Sequence, residues 1–259
     1  MPELPEVETL CRQLRQVVLG RQILEMEVID AKIGLFPEAI GRRITAVHRL
    51  GKSLGMVLDS GRALRLHLRM SGRLLWRTDY HLPLPHMRFM LGFEEGWLLC
   101  IDPRRFATLS WASPSRCPRP PAYPLLKGDL PRISALAARR RVAVKAFLLD
   151  QTVMAGIGNI YACEILHAAA IEPECRACDL TPMQWERLAA VTASILKKAV
   201  RARGTSISDW HDLFGNKGEN QRFLKVYGRR GEACPRCGAS IERKSLGGRG
   251  TFYCPSCQR

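Results

Sequence analysis

The 259-residue chain is poor in acid: 24 Asp and Glu stand against 40 Lys and Arg, a formal net charge of +16. That imbalance excludes a basic partner and favours a polyanionic one, a footprint shared by nucleic-acid-binding, ribosomal and membrane-surface proteins. No uninterrupted apolar run approaches the ~18 residues that a bilayer-spanning helix requires, so no membrane segment is expected. The opening Met1-Pro2-Glu3-Leu4-Pro5-Glu6 lacks the basic and apolar stretches of a secretory signal, and a cytosolic location is expected. Internal repeats are absent, which excludes solenoid and propeller arrays.

Cysteine is not scarce, but ten of them do not make a disulfide framework. Four form Cys234-x2-Cys237 and Cys254-x2-Cys257, with sixteen residues between the pairs. In a reducing compartment this spacing gives four thiolates on a hairpin, a closed tetrahedral site for one structural zinc. Cys175-x2-Cys178 has no second pair to complete another site. Cys11, Cys100, Cys117 and Cys163 sit mostly among apolar neighbours and read as small hydrophobes.

Periodicity divides the chain. A helix is expected from Pro5, with Val7, Leu10, Leu14 and Val17 on one face and Gly20 as its stop. Alternation then predicts strands. Leu24, Met26 and Val28 form one set, and Leu64, Leu66, Leu68 and Met70 another, the latter interleaved with Arg65, His67 and Arg69. Further short strands fit 44–50, 54–59, 86–93 and 97–101, making residues 1–112 mainly β. Residues 113–124 hold five prolines and open a linker placed at 113–134. Beyond it the pattern is helical: a basic helix from Arg139 to Leu149, another from Asn159 to Ala168, and a third capped by Thr181 and Gln184. The third carries Trp185, Leu188, Val191 and Ile195 on one face and stops at Gly204. The expected fold class is α+β: an N-terminal helix with a β-sandwich domain (1–112), a helical domain (135–226) and a C-terminal zinc hairpin (227–259).

Chemistry concentrates at the N-terminus. Removal of Met1 leaves Pro2 as a secondary amine, which attacks a sugar C1′ to give an iminium directly. Glu3 and Glu6 stand beside it to move protons, and the start of a helix disfavours a protonated amine. The plainer reading is that Pro-Glu only starts a helix. Gly156-x-Gly158-Asn159 joins two predicted helices; its glycines let backbone N–H groups approach a phosphate. A dinucleotide-binding reading fails there, because no third glycine or preceding strand fits.

The run Met1 to Thr9 resembles the opening of the formamidopyrimidine-DNA glycosylase and endonuclease VIII family. Five later blocks resemble it in the same order: Gly51-Lys52, His67 to Gly72, Asp102-Pro103-Arg104-Arg105-Phe106, Gln151 to Glu164, and Gly248 to Cys254. Leu4 and Val7-Glu8-Thr9 favour the formamidopyrimidine branch. The resemblance implies that Pro2 is the Schiff-base nucleophile, that Glu3 is the acid that helps open the deoxyribose, and that Lys52 lies near the lesion and its phosphate. It places Arg249 at the DNA backbone. It gives Met70, Arg104 and Phe106 the space left by an extruded nucleotide, a suitable task for a flexible thioether, a cation and a flat ring. It puts Lys145 and Asn159 of a helix–two-turn–helix element on phosphates, with His67, His86 and Arg105 as further phosphate contacts and Glu164 steadying the turn. Strand core for Met70, core for Phe106, and plain surface residues for Arg105, His86 and Glu164 are the duller alternatives.

Three stretches depart from the family pattern. Pro85-His86-Met87-Arg88 replaces a Lys-His-Asp-His run, the linker around Lys127-Gly128-Asp129 differs, and Gly218 to Leu224 is unusually polar. The implied activity is excision of oxidised purines, formamidopyrimidines and 8-oxoguanine, from double-stranded DNA, then β- and δ-elimination by a monomer. The polar stretch, read as a mobile lid, predicts a preference for formamidopyrimidines. The rivals are a pyrimidine-preferring endonuclease VIII type, a non-catalytic damage-binding zinc protein and an RNA-binding zinc ribbon. The intact Pro2-Glu3 pair with Lys52 speaks against the non-catalytic reading, and the void-filling trio against the RNA one.

Overall fold

The structure is a computed structural model that describes residues 1–79, 84–112, 129–207 and 209–259; residues 113–128 of the expected linker, with Cys117, lie outside them. It divides into two compact units, Met1–Pro120 with Val200–Gln221, and Pro121–Ala199 with Arg222–Arg259.

In the first unit α1 (Leu4–Val17) begins one residue before the expected proline. Glu3 is its N-cap, and Glu3 and Glu6 exchange backbone and side-chain hydrogen bonds as a capping box. Val7, Leu10 and Leu14 are fully buried, each burial stabilising by roughly 1.5–3 kcal/mol relative to exposure. Two antiparallel four-stranded sheets follow. One has the order β1 (Glu25–Val28), β6 (Met87–Phe93), β7 (Gly96–Ile101), β5 (Arg73–Arg77); the other runs β2 (Ile44–Leu50), β3 (Ser53–Leu58), β4 (Ala63–His67), β8 (Thr108–Ala112). Their inner faces share one core with α1: Leu54, Met56, Leu64 and Leu66 from one sheet, and Leu74, Phe89, Leu91 and Leu98 from the other. Cys11 and Cys100 lie in it as inert hydrophobes, burial pushing both thiols up to about 12.

The strand expected to run to Met70 stops at His67. Arg69 adopts a left-handed backbone (φ 56°), and its N–H donates to His67 Nδ1 at 2.9 Å. Gly72 N closes back on Leu68 O at 3.0 Å. The turn throws Met70 out of the alternating pattern, half exposed, and the core reading of that residue is excluded.

The segment after residue 200, expected within the helical domain, packs on the sandwich. Trp76 N donates to Leu213 O, and Gln13 Nε2 to Asp212 (2.9 Å). In the second unit a helix that was not expected, α2 (Leu130–Ala138), begins inside the expected linker, and the helix expected over 139–149 is confined to α3 (Val144–Leu149). Between them Ala143 forms an isolated bridge with Arg176, and Val144 N and Ala177 N donate to Cys175 O and Val142 O; this pairing extends the chain where a helix would continue. Helix α4 spans Asn159–Ala169, and α5 spans Pro182–Arg201 with the expected Thr181–Gln184 box. The buried stripe of α5 is Trp185, Leu188, Ala189, Thr192, Leu196 and Ala199, leaving Val191 and Ile195 at its margin. The unit closes with the hairpin β9 (Glu242–Leu246) and β10 (Arg249–Tyr253).

A buried ion cluster joins three strand ends of the first unit. Arg88 on β6 lies 2.5 Å from Asp30 and 3.3 Å from Asp102, all three shielded from solvent. Arg105 donates to Asp30 through Nε at 2.8 Å, and its Nη2 lies 2.7 Å from the other carboxylate oxygen. The Arg105 hydrogen bond is the main cause that holds the Asp30 carboxyl well below the usual range, against the opposing effect of burial. A carboxyl with a folded value below its unfolded one, about 3.9, contributes stability that is complete above the unfolded value and lost as pH falls towards the folded one. Asp30→Asn should therefore lower the melting temperature at pH 7, and the gap to the unaltered protein should narrow below about pH 4. Melting curves recorded from pH 7 to 2.5 check this; a gap that stays constant across the range counts against it.

Candidate active site and nucleic-acid interface

Pro2 and Glu3 are buried at the head of α1, with Met1 outside them. Glu6 fixes this end of the chain: one oxygen accepts from Glu3 N at 2.8 Å and the other from Thr205 N at 2.7 Å. Lys52 is buried in the two-residue turn between β2 and β3, where Gly51 takes a positive φ of 62°. Helix and turn are tied together through Arg49, which donates to Glu8 on α1 (3.2 Å) and to Gly51 O (3.4 Å). The sequence reading did not find Arg49 or the role of Glu8, since neither spacing nor residue type marks a link across 41 positions.

Met70, Arg104 and Phe106 come together. Arg104 Nη2 lies 3.4 Å from Met70 Sδ, and its guanidinium carbon lies 5.1 Å from the Phe106 ring centroid. Met70 and Phe106 are 50% and 51% exposed, far more than a core position allows. Arg105, on the same loop, turns the other way into its Asp30 pair. His86 is exposed with a left-handed backbone (φ 64°), and its carbonyl accepts from Asp102 N. His67 is held down at about 4, by burial first and then by Arg69, Arg65 and Lys52, so its ring is neutral at pH 7. Because its Nδ1 accepts from Arg69, the proton sits on Nε2.

The polar stretch after Gly215 is a docked turn. Gly218 N donates to Ser206 Oγ, Glu219 N to Ala202 O, and Asn220 N to Gly204 O. Asn220 is buried with Nδ2 on Thr205 Oγ1 at 2.8 Å, and Glu219 pairs with Arg203. A Cβ on Gly218 would stand 2.3 Å from Gly204 O, so only glycine permits this approach. The polar side chains at 219 and 220 hold the turn in place, which removes the basis for a lesion preference argued from a polar, mobile lid.

In the second unit Gln151 closes the loop between α3 and α4, donating to Leu149 O and Ile157 O while accepting from Gly156 N. Lys145 Nζ and Asn159 Nδ2 converge on one carbonyl, Gly250 O, at 3.3 and 2.9 Å; Lys145 also reaches Thr251 Oγ1 at 2.7 Å. Gly250 follows Arg249, which is exposed at the head of β10, just after the Gly247-Gly248 turn whose φ values are 57° and 71°. The expected phosphate ligands of two helices and the hairpin thus share one locus, with Lys145 itself buried. Glu164 is no surface acid: it accepts from the N–H groups of Lys225, Val226 and Tyr227. Burial is the leading cause that holds its carboxyl above the usual range.

The four thiols of Cys234, Cys237, Cys254 and Cys257 lie within 4.8 Å of one another, with contacts of 3.9 Å (Cys234–Cys257) and 3.4 Å (Cys237–Cys254). Four sulfurs about 2.3 Å from a tetrahedral zinc stand about 3.8 Å apart, so the set fits one structural zinc. His167 of α4 places Nε2 3.4 Å from Cys234 Sγ, and Gln258 bonds both Cys254 N and Ile171 O. Metal binding and folding of the hairpin are therefore coupled. Purified protein should carry about one zinc per chain, and chelation should expose β9 and β10 to protease while the sandwich keeps its melting transition. Metal-free protein with a protease-resistant hairpin would contradict the assignment.

Three family models match in order: the formamidopyrimidine-DNA glycosylase N-terminal domain over residues 1–109, its H2TH domain over 128–210, and the zinc finger found in FPG and IleRS over 231–259. Formamidopyrimidine-DNA glycosylases of Desulfitobacterium hafniense and Synechococcus elongatus are 38% and 40% identical, each across all of this chain and 100% and 97% of theirs. A crystal structure of a Lactococcus lactis FPG mutant with Fapy-dG-containing DNA superposes with a TM-score of 0.91 at 33% identity, covering 100% of both chains. The L. lactis enzyme with abasic-site DNA gives 0.90 at 32%, over 99% of each. Matched along its whole length in sequence and in fold, the chain belongs to the formamidopyrimidine-DNA glycosylase family of DNA repair enzymes.

Proposed function

We propose that this protein is a bifunctional DNA glycosylase and abasic-site lyase of base excision repair, acting as a monomer in the cytosol on oxidised purines in double-stranded DNA. The observation that carries the reading is the buried Pro2-Glu3 head of α1, tied to Thr205 through Glu6. Once Met1 is removed, the Pro2 nitrogen attacks C1′ of the damaged nucleotide. The N-glycosidic bond breaks, the base leaves with a proton, and ring opening gives an iminium between Pro2 and C1′. Glu3 is placed to protonate the ring oxygen as the C1′–O4′ bond opens. Loss of a C2′ proton then expels the 3′ phosphate by β-elimination, and δ-elimination expels the 5′ phosphate. Lys52 is assigned to the lesion and its phosphate, and Met70, Arg104 and Phe106 to the place of the extruded nucleotide. Lys145, Asn159 and Arg249 are assigned to the backbone of the lesion strand, with His86 and Arg105 as outer phosphate contacts. The zinc holds the hairpin that presents Arg249. Formamidopyrimidines and 8-oxoguanine are the proposed substrates.

Borohydride reduction of the iminium should lock the protein to duplexes carrying either lesion, and the crosslinked peptide should begin at Pro2. Protein that keeps Met1 should neither excise nor nick, because its proline nitrogen is an amide. Crosslinking at an internal lysine would falsify the assignment of the nucleophile; efficient trapping on thymine glycol alone would favour the pyrimidine-preferring type.

The backbone assignment of Arg249 has its own signature. Affinity for duplex DNA should fall with salt by about 0.9 log units per phosphate contact for each decade of concentration. Arg249→Ala should reduce that slope by about one contact and leave the ratio of excision rates on the two lesions unchanged. A changed ratio at constant slope means that Arg249 reads the base.

A further inference from the structure

Asp102 has no part in the reading above, yet the structure gives it more donors than any other carboxylate described. It lies at the end of β7 and is wholly shielded from solvent. Its Oδ2 accepts from Phe106 N and Ala107 N, both at 2.7 Å, and faces Arg88 Nη1 at 3.3 Å. Its Oδ1 accepts from Arg104 N at 3.2 Å and from Ser71 Oγ at 2.5 Å. The first four donors belong to its own loop and to the ion cluster. Ser71 belongs to a different loop, the turn after β4 that throws Met70 outward.

Both loops cross from one sheet to the other, and the sheet registers pair only their ends: His67 with Thr108 in one sheet and Arg73 with Ile101 in the other. Between those ends neither loop follows a strand, and Asp102 ties them together, because one of its oxygens accepts from both loops. Burial would push this carboxyl up, but the hydrogen bonds from Ser71 and from the N–H groups of 107, 106 and 104 hold it below the usual range. It therefore presents two acceptor oxygens and no donor. An asparagine here would have to turn its NH2 group towards one set of donors and would lose acceptance from either Ser71 and Arg104 N or Phe106 and Ala107 N, so the tie is weakened in either orientation.

We propose that Asp102 is a positioning residue for base extrusion, holding the Met70 loop and the Arg104–Phe106 loop in one register so that their three side chains form a single wedge. The proposal rests on the assignment of that trio to the vacated stack. Asp102 touches neither the sugar nor the amine, so its effect falls on taking the damaged base out of the duplex, a step that costs a few kcal/mol.

The test compares two substrates under single-turnover conditions: a duplex carrying a formamidopyrimidine lesion, and a duplex with a preformed abasic site, where no base has to leave the stack. Asp102→Asn should slow release of the lesion base by about tenfold or more while nicking at the abasic site stays within about threefold, in line with a role confined to extrusion. Ser71→Ala frees only the Met70 loop and leaves the ion cluster intact, so it should fold normally, as melting curves will show, and should slow the same step. Ser71→Thr, which keeps the hydroxyl, should restore it. Equal losses on both substrates in Ser71→Ala, or unchanged lesion release in both Asp102→Asn and Ser71→Ala, overturn the proposal. Unaltered protein that acts on neither duplex overturns the glycosylase reading, and the proposal with it.

Discussion

Among the described residues the buried carboxylates are Glu3, Glu6, Asp30, Asp102, Glu164 and Asp212, and each accepts at least one backbone N–H. A charge taken out of water is tolerated only where donors replace its hydration, and peptide N–H groups are the donors every loop supplies. A chain with few acids thus places six of them inside, as clamps on backbone N–H groups. Glu6 shows the consequence most directly: a helix cap on one side and a tether for Thr205 on the other, it settles where the chain end bearing Pro2 lies.

The same principle builds the loops of the sandwich. Arg88 is buried between Asp30 and Asp102, and removing one member of such a cluster leaves an uncompensated charge at a cost of about 3–5 kcal/mol. Because Asp102 belongs both to the cluster and to the loops, the exposed trio of Met70, Arg104 and Phe106 is carried on backbone as firmly held as the core. That suits the role proposed for them in replacing a base, since the rigidity is in place before DNA arrives.

In the second unit, Lys145 and Asn159 share Gly250 O, and the cysteine site lies against the far half of α4 through His167 and against Ile171 through Gln258. Helix α4 therefore carries the locus proposed to bind the DNA backbone at its start and the support of the metal module near its end. Glu164, between the two, orders 225–227, the approach to the first cysteine pair. Metal, hairpin and helix form one mechanical element.

Much of this was legible in the sequence because its signals are local. The capping box at Thr181, the alternation of Leu24, Met26 and Val28, the Gly247-Gly248 turn and the Cys-x2-Cys pairs each act within a few residues, where propensity and spacing govern. The family resemblance supplied the trio and the nucleophile without their geometry. Tertiary structure decided what depends on partners distant in sequence. The basic helix expected over 139–149 starts only at Val144 because the chain before it pairs with 175–177, and the strand at 64–70 stopped because Arg69 turns onto His67. The 217–221 segment docked because Gly204 and Gly218 let two backbones meet. The bond of Asp102 to Ser71 spans 31 positions. No pattern along the chain encodes that contact, since it exists only once β5 has paired with β7.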